Sequence, residues 1–365
     1  MLDARSLGVA VLQAAVMLVP FGAAGAQAPA KAPAKVEGAK AAKPRKVGGP
    51  VLAVIPPDAA PLRTVLVSAD GSRLVRFTED DRVVFGLVAD YLSRDKKQRT
   101  KNETRYRYAL KAPLLSPRGD LLVARAADAV LAVVDPSPRQ IHQLRGLPGV
   151  GACGFHPDGA QLATSMRDGL VRILDAKAGK PLRYTPIQGT AHHWVGFAAK
   201  GTVLMTAGVD KKLRFYTYPD IKMLREAPLA GPVHRVAIHH AGTQAVWAIG
   251  KQVFVHDVRG EQAERKIDLD AEVTQVAYSR DSTQLGVALV DGSVRVLDVA
   301  TGAELHRFAA HPDKTLVCLA HAAAGDHVVW ITAAAGGDIV FWKDPKAKGK
   351  SSAKSKKKKK PNKRR

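Results

Sequence analysis

The chain has 365 residues, 46% of them apolar, with 56 Lys and Arg against 33 Asp and Glu for a net charge of +23. That composition excludes a chain with no core to bury, and only two cysteines exclude a small disulfide-stapled scaffold. The charge is uneven: residues 27–48 carry +5 and residues 343–365 carry +12, which leaves +6 for the centre.

Residues 1–26, MLDARSLGVAVLQAAVMLVPFGAAGA, place Arg5 before an apolar run from Leu7 to Val19, a breaker at Pro20 and small residues at Ala24 and Ala26. This is the layout of a signal peptide, so export to the periplasm or the outside is expected, with cleavage after Ala26. The alternative is an uncleaved membrane anchor, against which Pro20 and the glycines shorten the helix below the roughly 20 residues that a span needs. Residues 27–48, QAPAKAPAKVEGAKAAKPRKVG, hold little but Ala, Pro, Lys and Gly and read as an extended linker. Residues 344–365 end in KGKSSAKSKKKKKPNKRR, where like charges repel. Both ends are expected to lack order.

From residue 49 to residue 343 one phrase keeps returning: LVSADG ending at Gly71, LLSPRG at Gly119, GFHPDG at Gly159, GFAAKG at Gly201, AIHHAG at Gly242, AYSRDS at Ser282 and LAHAAAG at Gly325. Successive end points lie 48, 40, 42, 41, 40 and 43 residues apart. A period of this length with every unit rich in short apolar strands predicts a β-propeller, here of seven blades. The sixth unit shows the grammar: EVTQVAYS, turn, QLGVALV, turn at Asp-Gly, SVRVLDV, turn, ELHRFAA. Four strands with such turns make one antiparallel blade. Runs such as LLVARAA and QLGVALV lack polar alternation, as strands covered on both faces do. Helical periodicity is absent.

The phrases DGLVRILD and DGSVRVLD, the weaker DAVLAVVD and DKKLRFYT, and FHPDG before a second strand resemble the WD-repeat propellers over roughly residues 50 to 343. The resemblance implies an Asp in the turn between second and third strands, here at Asp128, Asp168, Asp210 and Asp291. The chain departs from the family where Val134, Leu174, Tyr216, His256 and Leu297 replace the tryptophan of the Trp-Asp pair, which survives only as Trp342, followed by Lys343. His311 is the one positional candidate for the family's Gly-His pair. The seventh unit supplies three strands, TLVCLA, HVVWITA and DIVFWK, and PVLAVIP at residues 50–56 is free to be the fourth. The resemblance implies such an N-terminal strand, which would close the ring and remove an unpaired edge.

Chemistry is sparse. Each turn aspartate is expected to satisfy its own backbone amides. His156, His239, His240 and His321 fall in first hairpin turns of alternate units, too far apart for nitrogens to converge at about 2.1 Å on a metal. His192 and His193 are strand neighbours that face opposite ways. Cys153 and Cys318 sit on first strands of the third and seventh units, so free buried thiols are expected rather than a bridge. No G-x-S-x-G, P-loop, H-E-x-x-H or C-x-x-C-H occurs. Asn102-Glu-Thr104 matches a glycosylation sequon.

One segment stands above this background. SRDKKQRTKNETRYRYALK, residues 93–111, carries +6 and accounts for the 48-residue spacing; Arg105, Tyr106, Arg107 and Tyr108 alternate cation and ring, as single-stranded nucleic-acid surfaces do. It can equally be an outer strand with solvated charges. Lys356, Lys357, Lys358, Lys359, Lys360, Lys363, Arg364 and Arg365 form a second candidate anion-binding set. The sequence therefore predicts an exported, monomeric, non-enzymatic scaffold with no cofactor and no metal. It would bind a protein partner on one propeller face, while its basic tails attract an anionic polymer. A nucleic-acid-associated scaffold is the alternative if the chain is not exported, and a propeller enzyme with a metal or quinone over its channel is a third.

Overall fold

The computed structural model describes residues 51 to 345 apart from 57–59, 94, 96, 98–102, 108–109, 126–130, 136–139, 145–148, 167, 185–190, 234 and 325. The readings of residues 1–50 and 346–365, and those of Asn102 and Asp128, lie outside the described residues.

The chain is an all-β propeller. Among the described residues the strands group into seven four-stranded antiparallel sheets. In chain order the first six are Leu62–Val67, Arg73–Thr78, Arg82–Leu87 and Thr104–Arg107; Lys111–Leu115, Leu122–Arg125, Leu131–Asp135 and Gln140–Leu144; Val150–Phe155, Gln161–Met166, Val171–Asp175 and Pro181–Tyr184; His192–Ala198, Val203–Gly208, Lys212–Thr217 and Met223–Pro228; Arg235–Ile238, Gln244–Ile249, Gln252–Asp257 and Arg265–Asp268; Val273–Tyr278, Gln284–Leu289, Val294–Asp298 and Glu304–Phe308. The last contains Leu316–Ala324, His327–Ala334 and Ile339–Lys343, with Val51–Ile55 as its fourth strand, antiparallel to Ile339–Lys343. We number these blades one to seven.

Each blade grades from apolar inside to polar outside. The second strands Val203–Gly208 and Gln284–Leu289 are buried at every position, whereas the fourth strand Pro181–Tyr184 is exposed at every position. The cause is packing. A second strand has a neighbouring blade on each face, so it needs an unbroken apolar run, while a fourth strand meets water along its edge.

Among the described residues seven apolar clusters fill the blade interfaces. Blades one and two share Phe77, Phe85, Leu115 and Leu122; two and three share Leu114, Val123, Phe155 and Leu174; three and four share Ile173, Phe197, Leu204 and Tyr216. Four and five share Met205, Phe215, Ile238 and Trp247; five and six share Val246, Val255, Tyr278 and Val287; six and seven share Val296, Leu319, Trp330 and Trp342. Blades seven and one share Ala53, Phe341, Leu74 and Val88. Fully burying one such large side chain contributes about 1.5–3 kcal/mol.

Two faces result. The first strand of every blade runs toward what we call the inner-turn face, which holds the turns between strands one and two and between three and four. The connection face holds the second-to-third turns and the links between blades. On the inner-turn face the first turns touch one another in sequence around the ring. The Asp70 amide donates to the Pro117 carbonyl at 3.1 Å, His156 Nε2 lies 3.3 Å from the Gly201 carbonyl oxygen, and the Ala199 amide donates to the Gly242 carbonyl at 3.0 Å. The His240 amide donates to Ser282 Oγ at 2.9 Å, and the Arg280 amide donates to His321 Nδ1 at 3.1 Å. Gly242 takes φ +73, and a Cβ there would strike the Ala199 backbone, so the contact requires glycine.

One helical turn was not expected. Val88–Tyr91 follows the third strand of blade one and places Tyr91 against Phe341 of blade seven, ring centroids 6.4 Å apart. Four residues are too few to show helical periodicity in sequence, and burial of Val88 and Tyr91 holds the turn in place.

Candidate functional site

The connection face presents a short apolar arc. Val209 and Val290 directly precede the second-to-third turns of blades four and six and are 59% and 47% exposed. Ile249, half-buried, holds the same place in blade five between them, and the links carry exposed Ala230, Pro232 and Pro312. Lys211, Lys251, Asp291 and Asp313 surround the arc and are exposed or half-exposed. An apolar centre with a charged rim is the composition of a protein-docking surface.

The turns beneath the arc are held by their aspartates. Asp168 accepts from the Leu170 amide at 2.9 Å, Asp210 from the Lys212 amide at 3.2 Å, and Asp291 from the Ser293 amide at 2.9 Å. Asp210 also pairs with Arg214, and Arg172 lies 3.8 Å from Asp168. Burial is the largest single influence on the Asp210 carboxyl and pushes it up, but the hydrogen bond and charge of Arg214 together with the amide and charge of Lys212 outweigh it and hold the group below its usual range. These carboxylates are spent on their own turns, and their chemistry is structural.

The histidines are structural for a reason that sequence spacing does not reveal. His156 lies 2.9 Å from Asp158 through Nδ1, and its ring packs edge-on against Phe197. His239 accepts from the Ala241 amide at 3.1 Å and meets the Tyr278 ring. His321 takes the Arg280 amide on Nδ1, while its Nε2 lies 3.0 Å from Asp344 Oδ2. Each therefore serves a contact between its blade and a neighbour: His156 and His239 with the blade that follows, His321 with the blade before. His192 is buried and His193 half-buried, on successive strand positions. Among the described residues no group of three or more His, Cys, Asp or Glu side chains is placed to hold a metal. The recess lined by Pro157, Phe197, Lys200, Ile238, His239 and His240 has room for about one water molecule.

Both cysteines are free, as expected; Cys318 is buried, and Cys153 is half-buried as a residue while its thiol sits desolvated on the first strand of blade three. Burial pushes each thiol up to about 12, so neither is a thiolate at neutral pH.

Among the candidate anion-binding residues, Arg105 is 62% exposed and bonded to Glu103 Oε2 at 2.7 Å. Glu103 is itself buried, accepting from Arg76 at 2.6 Å and from the Tyr91 hydroxyl at 2.9 Å. The single acid in NETRYR thus anchors the blade-one insertion, which sequence counting treated only as a charge. Tyr106 and Arg107 pair through their backbone with Val83 and Arg82, and their side chains lie outside the described residues. Tyr108, Lys356–Lys360, Lys363, Arg364 and Arg365 also lie outside them.

Two further sets of residues escaped the sequence reading. The first is a buried relay in blade seven: Trp342 Nε1–H donates to Thr332 Oγ1 at 2.8 Å, and Thr332 Oγ1 lies 3.0 Å from His311 Nε2. The hydroxyl oxygen has one proton and two lone pairs, so it can accept the indole N–H and still bond His311 Nε2 in either tautomer of the ring. Burial lowers its pKa to about 4. The relay joins the surviving tryptophan to the one His candidate of the resemblance. The second set is an arginine clamp. Arg183, Arg225 and Arg265, on fourth strands opposite Ile173, Phe215 and Val255, reach into the next blade. They donate to the carbonyls of Pro219 (3.2 Å), of Asp257 and Val258, and of Val299 and Ala300. Their recurrence 42 and 40 residues apart was the available signal.

Among the described residues no helix is long and apolar enough to cross a membrane. Residues 139–175, from the last strand of blade two through the third strand of blade three, match the WD domain, G-beta repeat family. Residues 228–324, which span blades five and six, match the WD40 domain of anaphase-promoting complex subunit 4. No curated protein matches the chain.

Proposed function

This chain is a WD-repeat β-propeller, and on that premise we propose that it is an exported, non-catalytic scaffold that docks a protein partner on the connection face of blades four to six. The observation that carries the reading is the pair Val209 and Val290, large apolar side chains left exposed at equivalent turns with Ile249 between them. A seven-bladed ring closed by Val51–Ile55 gives such a partner a rigid platform; the pairing of that strand with Ile339–Lys343 and the cluster shared by blades seven and one support closure. Export rests on the layout of residues 1–26, and the basic ends add attraction to an anionic partner.

The test uses the protein recovered from outside the cytoplasm with its bound partner. Val209→Asp with Val290→Asp should abolish recovery of that partner while leaving the unfolding transition where it was. Partner recovery at the wild-type level would refute this docking surface.

A further inference from the structure

We infer that the partner segment docked on the connection face is dipolar: its acidic end lies over blades four and five, its apolar centre on Val209, Ile249 and Val290, and its basic end over blade six. The assignment rests on the docking surface proposed above and gives it a direction. The three apolar side chains hold equivalent places in successive blades, so they cannot set which way a segment runs. The charges around them can, because they are sorted by sign along the arc. At the end formed by blades four and five, Lys211 and Lys251 each stand two residues beyond Val209 or Ile249, and both are exposed. Neither makes an ion pair among the described residues. The carboxylates on the same turn and strands are spent, Asp210 on Arg214 and Glu226 on Lys212 at 2.7 Å.

At the blade-six end the sign reverses. The Val290 amide donates to the Glu272 carbonyl at 2.9 Å, and the Asp313 amide donates to the Asp291 carbonyl at 3.3 Å, so the backbone gathers three acids about Val290. Glu272, Asp291 and Asp313 are all exposed, and none makes an ion pair among the described residues. Lys314 follows Asp313 but carries its ammonium to blade seven, where a Cβ added to Gly337 would lie 3.4 Å from Lys314 Nζ. Arg295 is held by Asp270 and Glu304. Arg235 is within Coulombic range of Glu272, but it is half-buried and spends its Nε–H on the Thr274 carbonyl. An exposed charge pair contributes little by itself. Matched potentials nevertheless fix register, and like charges set against each other reject a segment lying the other way round.

The experiment selects peptides from a random-sequence library displayed on phage against the full chain at physiological salt. The library is first depleted on the Val209→Asp, Val290→Asp protein, which removes peptides held elsewhere on the chain. Lys211→Glu with Lys251→Glu then reverses one end of the arc. Glu272→Lys with Asp313→Lys reverses the other and leaves the turn carboxylate of Asp291 in place; the unfolding transition of each variant is recorded alongside. Enriched peptides should carry carboxylates at one end, apolar residues at the centre and cations at the other. They should bind each paired variant about tenfold more weakly, with the loss shrinking at high salt. The protein with all four reversals should instead prefer the same peptide with its acids and bases exchanged. Enriched peptides of a single charge sign, or affinities that neither paired variant changes, would overturn the dipolar assignment and leave the apolar surface standing. If no peptide survives the depletion, the docking surface itself fails and the assignment fails with it.

Discussion

Replacing Thr332 by Val keeps shape and volume and removes one oxygen from the interior of blade seven. That oxygen accepts the Trp342 indole N–H at 2.8 Å and bonds His311 Nε2 at 3.0 Å, among side chains that are at most 7% exposed. Water cannot replace either bond. Each buried group left unpaired costs about 1–3 kcal/mol, and His311 keeps part of its freedom to relax, so a total of about 2–4 kcal/mol is expected. For a chain of this size that is a fall of about 4–8 °C in Tm. Thr202→Val is the control, because the Thr202 hydroxyl bonds the Ala199 carbonyl in an exposed turn, where loss costs about 0.5 kcal/mol or less. The same relay predicts a pH response. His311 titrates at about 4 when folded and near its ordinary 6.5 when unfolded, so its stabilising contribution is complete above pH 6.5 and is lost as pH falls toward 4. Between pH 7.5 and pH 5 the loss is about 2 kcal/mol. His240 and His256, also lowered to about 4, act in the same direction. Differential scanning calorimetry of the two variants at pH 7.5, and of wild type and His311→Gln at both pH values, measures these effects. A Thr332→Val transition within about 1 °C of wild type, or equal acid sensitivity with and without His311, would refute the relay.

Arg225→Met and Arg265→Met each remove an arginine that bonds two carbonyls of the next blade, and each should lower stability by about 1–3 kcal/mol in urea unfolding. Arg183→Met, which gives up one exposed bond, should cost less than either. Deleting residues 51–55 exposes the edge of Ile339–Lys343 and should cause aggregation or a large fall in Tm, whereas deleting residues 27–48 should leave the transition unchanged. Sequencing the mature N-terminus should return Gln27 from an exported fraction; Met1 on a cytoplasmic protein would remove the export reading.

Repeat length, strand grammar and turn aspartates were readable from residues alone, because each depends on contacts within a few positions. A two-residue turn must have its carboxylate or glycine in place whatever surrounds it, and a strand covered on both sides must be apolar throughout. So LVSADG and its six relatives marked the hairpins, and DGLVRILD and DGSVRVLD marked the blades. The interactions between blades were not readable. Glu103 counted as one acid in a basic loop until the fold placed it beneath Arg76 and Tyr91. The histidines of alternate units looked isolated because spacing along the chain conceals that each first turn touches the next around the ring. Arg225 and Arg265 were ordinary surface cations until their partners, 32 to 35 residues ahead, came within reach. PVLAVIP was a free strand until the pairing of Val51–Ile55 with Ile339–Lys343 made it the fourth strand of blade seven. Local composition determines which strands and turns form, because neighbours in the chain supply their hydrogen bonds and their burial pattern. Which charges meet, and which are left for a partner, is decided only when blades far apart in sequence pack side by side.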